Sequence, residues 1–277
     1  MIADLPLETN AVFQRARGTL DVSAVRAAGD ITRLKNLRQQ GSFRAIFPRP
    51  TNDSIEMVII NTAGGVTGGD QFSTTITAHE RAKLSVTTQA AERIYRASNA
   101  TAGTIKTKLT VEDGAQLYWL PQETILFDGA RLRRKIDVEL NENATFLMLE
   151  PLVFGRDASG EILRSGALTD RVSITSGGRP VYLDAITLDG DITATLERSA
   201  LASGARAVAN IVLVSPQAAL LCDAVRALLP TTAGASLLSE TTLVIRVLAR
   251  DSFVLRQSIL PILTHLTHAT VPKNWRL

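Results

Sequence analysis

The chain has 277 residues, 45% of them hydrophobic and 21% charged, with a net charge of +3. That length can bury a substantial core, and the composition is globular rather than disordered or fibrous. So small a charge gives no electrostatic footprint for nucleic acid or an anionic membrane surface, and no run approaches the ~20 apolar residues of a membrane-spanning helix. The start, Met1-Ile2-Ala3-Asp4-Leu5, lacks the basic and apolar regions of a secretory leader, and the single cysteine, Cys222, leaves no internal disulfide. Both features point to a cytoplasmic protein.

Taken in chain order, a strand over 55–60 runs into Asn61-Thr62-Ala63-Gly64-Gly65-Val66-Thr67-Gly68-Gly69-Asp70. Two Gly-Gly pairs closed by an aspartate predict a turn with positive φ and close backbone approach, because glycine alone adopts such backbone without penalty. A phosphate cradle is excluded. A P-loop requires Lys-Ser/Thr directly after its last glycine, and here Asp70 and Gln71 follow. The dinucleotide-binding glycine spacing is absent as well, and 72–78 alternates as a strand where both motifs need a helix.

Further strands are predicted over 72–78, 84–88, 104–111, 115–120, 134–140, 145–149, 172–175 and 181–188. In 134–140, for example, Ile136, Val138 and Leu140 alternate with Lys135, Asp137 and Glu139. Turn signals separate them at Asp113-Gly114, Asn141-Glu142-Asn143, Gly177-Gly178 and Asp189-Gly190. Towards the C-terminus the period changes. Ser215 is an N-cap candidate with Pro216 at the first helical position, Leu220, Leu221, Val225, Leu228 and Leu229 follow, and Pro230 ends the helix. After a strand over 242–249, Asp251 or Ser252 can cap a second helix towards Leu266, which Pro261 should kink or interrupt. The expected fold is β-dominated, of mixed or antiparallel strands in an elongated or β-helix-like architecture, with two C-terminal α-helices. One unit spans 1–277 with a short flexible lead over about residues 1–12.

Few residues speak of chemistry. His265 and His268, three apart, would share a helical face and could pinch a metal, but two ligands do not close a site. Cys222, among Leu220, Leu221 and Val225, reads as a buried structural thiol. No Gly-x-Ser-x-Gly elbow exists. Carboxylates in apolar settings stand out more: Glu123 and Asp128 flank Thr124-Ile125-Leu126-Phe127, and Glu150 closes Phe146-Leu147-Met148-Leu149. A buried carboxylate must be paired, hydrogen-bonded or protonated, and a water-filled passage for cations is another way to accommodate it. Arg156 or Arg171 are candidate partners for Glu150, and Asp128 can simply begin a turn with Gly129.

Five blocks in order carry a resemblance: the glycine turn; Thr87-Thr88-Gln89-Ala90 with Ile94-Tyr95-Arg96; Trp119-Leu120-Pro121-Gln122-Glu123-Thr124-Ile125-Leu126-Phe127-Asp128-Gly129-Ala130; Glu150-Pro151-Leu152-Val153-Phe154-Gly155-Arg156; and Pro272-Lys273-Asn274-Trp275. Together they resemble the UreD (UreH) family of urease accessory proteins from about Phe13 to the end. Arg93 stands where that family commonly has lysine, Ser159 where it has methionine and Lys273 where it has arginine.

The resemblance implies a non-enzymatic maturation factor with a β-rich fold and a helix pair. It implies direct binding to UreF, contact with the GTPase UreG through UreF, docking on apo-urease subunits, and a dimer of the accessory complex. No cofactor would be held tightly; nickel would pass in transit towards urease. Oxygen ligands and water suit such transit, since a His/Cys cage would trap the ion. Asp70, Glu123, Asp128 and Glu150 are the expected passage or interface groups, with Thr88, Glu92 and Tyr95 beside them, while Gly64, Gly65, Gly68 and Gly69 shape the turn. Two alternatives stay open: a β-fold hydrolase using Glu123 and Asp128, and a stable metal site at His265 and His268.

Overall fold

A computed structural model describes residues 14–50, 52–156 and 160–275. The lead over 1–12 and Ser159 lie outside the described residues. The chain opens with an antiparallel pair, β1 (Arg17–Ala27) and β2 (Ile31–Gly41), then a short β3 (Phe43–Ile46). It next winds in coils that lay one strand on each of two sheets. β4 (Ile55–Asn61), β6 (Lys83–Thr88), β9 (Gln116–Trp119) and β12 (Thr145–Phe154) run parallel in one sheet. β5 (Gln71–Ala78), β8 (Gly103–Val111), β11 (Arg131–Leu140) and β13 (Gly166–Ser176) run parallel in the other. Each turn of the coil brings the chain back in the same direction, so parallel strands form without crossover helices; the arrangement is solenoid-like. Short β7 (Glu92–Ile94) and β10 (Thr124–Leu126) pair in parallel on the rim, β10 also with β12.

The last third changes style. β14 (Arg179–Gly190) returns antiparallel on β13, and a short helix α1 (Ile192–Glu197) follows, capped by the Asp191 carboxylate. β15 (Ala207–Val214), β16 (Ala233–Ser239) and β17 (Thr242–Ala249) extend the sheet of β4, β6, β9 and β12 antiparallel beyond β12; with that of β5, β8, β11 and β13 as the first sheet, this is the second. Helices α2 (Ala218–Arg226) and α3 (Ser252–Leu266) lie on its outer face. Three layers result: first sheet, second sheet, helices. Between the sheets sits one core, with Leu20, Met57, Ile76, Phe146 and Ile174 fully buried. Between the second sheet and the helices sits another, with Leu149, Ile211, Ile245, Ile259 and Trp275. Each such side chain contributes on the order of 1.5–3 kcal/mol by leaving water.

The alternating segments appear where the sequence puts them; β2 and β15, absent from the predicted set, have identifiable reasons, whereas β1, also absent from it, alternates with Leu20, Val22 and Ala24 inward. β2 is exposed along almost its whole length, so it shows no apolar alternation. β15 is buried on both faces and reads as a continuous apolar run, which periodicity cannot assign. Asp251 caps α3, its Oδ1 accepting from the Val254 amide at 2.7 Å. The helix runs unbroken through Pro261, which is exposed together with Gln257, so the carbonyl left without a donor is on the solvent side. At α2 the expectation needs correction: the helix starts at Ala218, not Pro216, because Ser215 Oγ binds the Gln217 amide at 3.2 Å ahead of the first turn. Cys222 is buried on α2, as its apolar neighbours required. Among the described residues no helix is long and apolar enough to cross a membrane.

Candidate functional site

The glycine turn links β4 to β5 and stacks on the next coil, where Val66 donates to the Arg93 carbonyl and Tyr95 to the Val66 carbonyl, both at 2.8 Å. Gly64 and Gly69 have φ of 77° and 88°, and Gly65 has 152°. A Cβ on Gly65 would sit 2.4 Å from Tyr95 Cε2, and one on Gly68 would sit 2.4 Å from the Thr101 carbonyl oxygen. The turn therefore needs glycine both for left-handed backbone and for close approach. Asp70 is buried within it and serves the backbone: Oδ1 accepts from the Ala16 amide and Oδ2 from the Thr67 amide, each at 2.8 Å.

Behind this turn, between the sheets, lies a cavity of ≈ 230 Å³. Exposed Gly64, Gln89, Ala90 and Arg93 form its rim, and Thr88, Glu92, Thr107, Trp119, Arg134 and Glu150 line its wall. Asn61 Nδ2 donates to both Glu92 oxygens, at 3.0 and 3.2 Å, and burial still pushes the Glu92 carboxyl up to about 7. At the inner end is a buried ion triad. Arg134 donates from Nε and Nη2 to the two oxygens of Asp170, at 2.9 and 2.6 Å, and its Nη1 lies 2.5 Å from Glu150 Oε2. Glu150 Oε1 accepts from Trp119 Nε1 at 2.6 Å, and Arg134 also reaches Thr124 Oγ1 at 3.2 Å.

One buried guanidinium thus serves two buried carboxyls. Burial pushes Glu150 above the usual carboxylate range in spite of Arg134. Burial also opposes the charge of Arg134, yet Glu150 and Asp170 together hold it more firmly protonated than an ordinary arginine. The partner expected for Glu150, Arg156 or Arg171, is wrong. Arg171 points to the opposite face of β13 from Asp170, and Arg156 is exposed and bound to Glu161 at 3.1 Å.

Beyond the triad a small cavity of ≈ 10 Å³, about the size of one water, is lined by Glu150, Asp170, Asp184, Asn210 and Arg246. Arg246 pairs with Asp184 at 2.6 Å and is half exposed, so this end reaches the surface beside β14 and β17. The register explains the polar seam. Arg134 and Asp170 are cross-strand neighbours on β11 and β13, and Glu150, Asn210 and Arg246 are neighbours on β12, β15 and β17.

The structure brings Thr88, Glu92 and Glu150 to this cavity and sends the other proposed groups elsewhere. Glu123 faces the helix layer, 3.1 Å from Arg256, whose guanidinium stacks 4.4 Å from the Trp275 ring centroid. Asp128 binds Arg96 and the Ser165 amide; burial opposes its charge, but these donors hold it below the usual carboxylate range. Glu123 and Asp128 are thus each committed to a separate cation. Tyr95 packs edge-on against Phe127 at 5.3 Å and its hydroxyl donates to the Gly64 carbonyl at 3.3 Å. His265 closes α3, whereas His268 lies past the helix end with φ 49°, so the two do not share a helical face. Among the described residues no group of three or more His, Cys, Asp or Glu is arranged to hold a metal.

Arg134, Asp170, Asn210 and Asp184 escape a reading based on motifs. Their signal is a break of phase: Arg134 shares its face with Leu132 and Ile136, Asp170 with Leu168 and Val172, Glu150 with Met148 and Leu152. A charge on the apolar phase of an alternating strand marks a buried polar group by pattern alone.

Comparison with known proteins agrees with the five blocks. The family profile described as UreD urease accessory protein matches residues 16–276. The chain is 45% identical over 263 residues to a urease accessory protein UreD of Roseobacter denitrificans, covering 95% of this chain and 96% of that one. It is 47% identical over 249 residues to one of Ruegeria pomeroyi, covering 90% and 97%, and 42% identical over 265 residues to one of Rhizobium rhizogenes, covering 95% and 96%. With its coils, glycine turn and closing Pro272-Lys273-Asn274-Trp275 in place, the chain belongs to the UreD family of urease accessory proteins.

Proposed function

We propose that this protein is a non-enzymatic urease-maturation scaffold whose interior carries nickel towards apo-urease. The observation that supports it is the pair of cavities between the sheets, mostly apolar in lining but with oxygens in sequence: a rim at the glycine turn, Glu92 and Thr88 on the wall, then Glu150 and Asp170. Among the described residues no histidine or cysteine lines it, and carboxylate and hydroxyl oxygens hold nickel(II) weakly enough to release it. A carboxyl that burial keeps near half-protonated at neutral pH, as Glu92 is, exchanges its proton for a cation reversibly. UreF is the direct partner and binds the helix layer, where Leu220 on α2 and Phe253 on α3 expose apolar side chains. UreG joins through UreF and supplies the GTP chemistry, consistent with the missing phosphate-binding lysine after Gly69.

The test is complementation. The full chain, expressed with a urease operon lacking its own UreD, restores nickel-loaded urease. Ala91→Trp, at a half-buried lining residue beside the rim, and Thr107→Phe, which fills the chamber, retain UreF but lower urease nickel content by about tenfold or more. Full activation by variants that fold, bind UreF and close the cavity would sink the passage.

A further inference from the structure

We propose that Arg134 is the gate of this passage: a divalent cation crossing the interior takes the place of its guanidinium between Glu150 and Asp170. This rests on the passage reading above and names the step that controls it. Three observations carry it. Glu150 is a wall of both cavities, while Arg134 lines the larger and grips Asp170, which lines the smaller. A cation moving from one to the other therefore meets the ion triad.

Second, the triad sets one guanidinium between two carboxyls, all three side chains at most 6% exposed, and a bound cation would hold both carboxyls ionised against the burial that raises Glu150. Exchanging the guanidinium for a divalent ion takes the formal charge there from minus one to zero, so a doubly charged ion is a better match than the resident cation. Third, acceptor oxygens are left over at this point. Oδ1 of Asn210, a buried residue in the wall of the small cavity, has no partner, and Glu150 Oε2 has only the ion-pair contact to Arg134, with no aligned hydrogen bond. With Asp170 these supply oxygen ligands from three strands, β12, β13 and β15, once Arg134 withdraws.

The larger cavity, which Arg134 already lines, has room for the displaced side chain. In its resting position the guanidinium holds the carboxylates through three contacts, with a fourth to the Thr124 hydroxyl, and so prevents the passage from becoming a metal trap. A lysine would do this less well, since an ammonium cannot span both oxygens of Asp170 in the bidentate manner of the guanidinium.

The experiment measures nickel binding by the purified full chain, with nickel chloride as the only probe. Arg134→Gln frees both carboxylates and gains nickel affinity by about tenfold or more over wild type in equilibrium dialysis, with a melting temperature that rises on adding nickel. Arg134→Gln with Asp170→Asn loses that gain. Arg134→Lys keeps a cation in place and serves if the glutamine variant does not fold; its nickel uptake also exceeds that of wild type. Uptake and melting unchanged from wild type in a folded Arg134 variant overturn the gate. The outcomes separate: a gate that fails while Ala91→Trp still blocks activation leaves the passage standing, and an Ala91→Trp variant that activates fully removes the passage itself.

Discussion

The second sheet has two buried faces made by the same strands, and they are opposites. Along β12, Leu147, Leu149 and Val153 point to the helices and Phe146, Met148, Glu150 and Leu152 point to the first sheet. The helix side is a dry apolar core around Leu255, Ile259 and Ile262, where Arg256 and Glu123 pair at its border and tie down Asn274 and Trp275. The inner side is apolar along most of its length but is crossed by a polar seam with a cavity. The helix side also leaves volume, ≈ 400 Å³ between β4, β6, β9 and residues 269–274, but no buried charged side chain lines it. Two solenoid sheets are held apart at the ~10 Å spacing of stacked sheets, and side chains that leave space unfilled make a chamber rather than a collapse. The lesson is that equal burial hides unlike interiors: one face packs an apolar core, the other keeps paired charges beside open volume.

The contrast can be broken most forcefully at the triad. Arg134→Met leaves Glu150 and Asp170 buried without a partner, and loss of about 3–5 kcal/mol in urea unfolding is expected. Adding Glu150→Gln and Asp170→Asn restores part of that loss, since the uncompensated charge, not the missing packing, is the cause; no recovery would mean that the arginine acts as a spacer. On the helix side Ile259→Ala makes a void instead and costs about 2–4 kcal/mol. Its nickel uptake equals that of wild type in equilibrium dialysis, and added nickel does not recover the lost stability, which thermal melts with and without the ion would check.

The smallest effect belongs to Glu92. Its carboxyl titrates at about 7 in the folded protein against 4.5 as its ordinary value, so between these the folded state binds more protons than the unfolded chain. Stability from this group is therefore full below about pH 4.5 and declines as pH rises through about 7. Glu92→Gln removes the decline. Discounted for the half-buried position, the variant gains about 1 kcal/mol over wild type at pH 8 and nothing at pH 4. Parallel pH profiles of the two proteins would contradict the assignment of burial as the cause.

Much of this was legible in the sequence. The alternation of 104–111 and 134–140, the Asp251 cap and the demand of the glycine turn for close approach all follow from local chemistry and appear as expected. Glu150 was recognisable as a buried carboxylate because it interrupts an apolar run, but its partner was not. Arg134 is 16 residues upstream and reaches it only because β11 and β12 lie on facing sheets. Glu123 and Asp128 look alike in the sequence, each beside the same short apolar segment, yet one turns to Arg256 and the other to Arg96. Their destinations depend on which layer packs over each, and that is a long-range fact.

The sequence by itself therefore determined the β-rich fold, the family and the kinds of residue available, because backbone conformation and strand period are set by neighbours along the chain. Only the tertiary structure decided that Thr88, Glu92 and Glu150 share one cavity, that Asp70 serves backbone amides, and that Arg134 stands between two carboxylates. Those outcomes hinge on the register between strands far apart in the chain and on the gap between two sheets, and no local pattern encodes either.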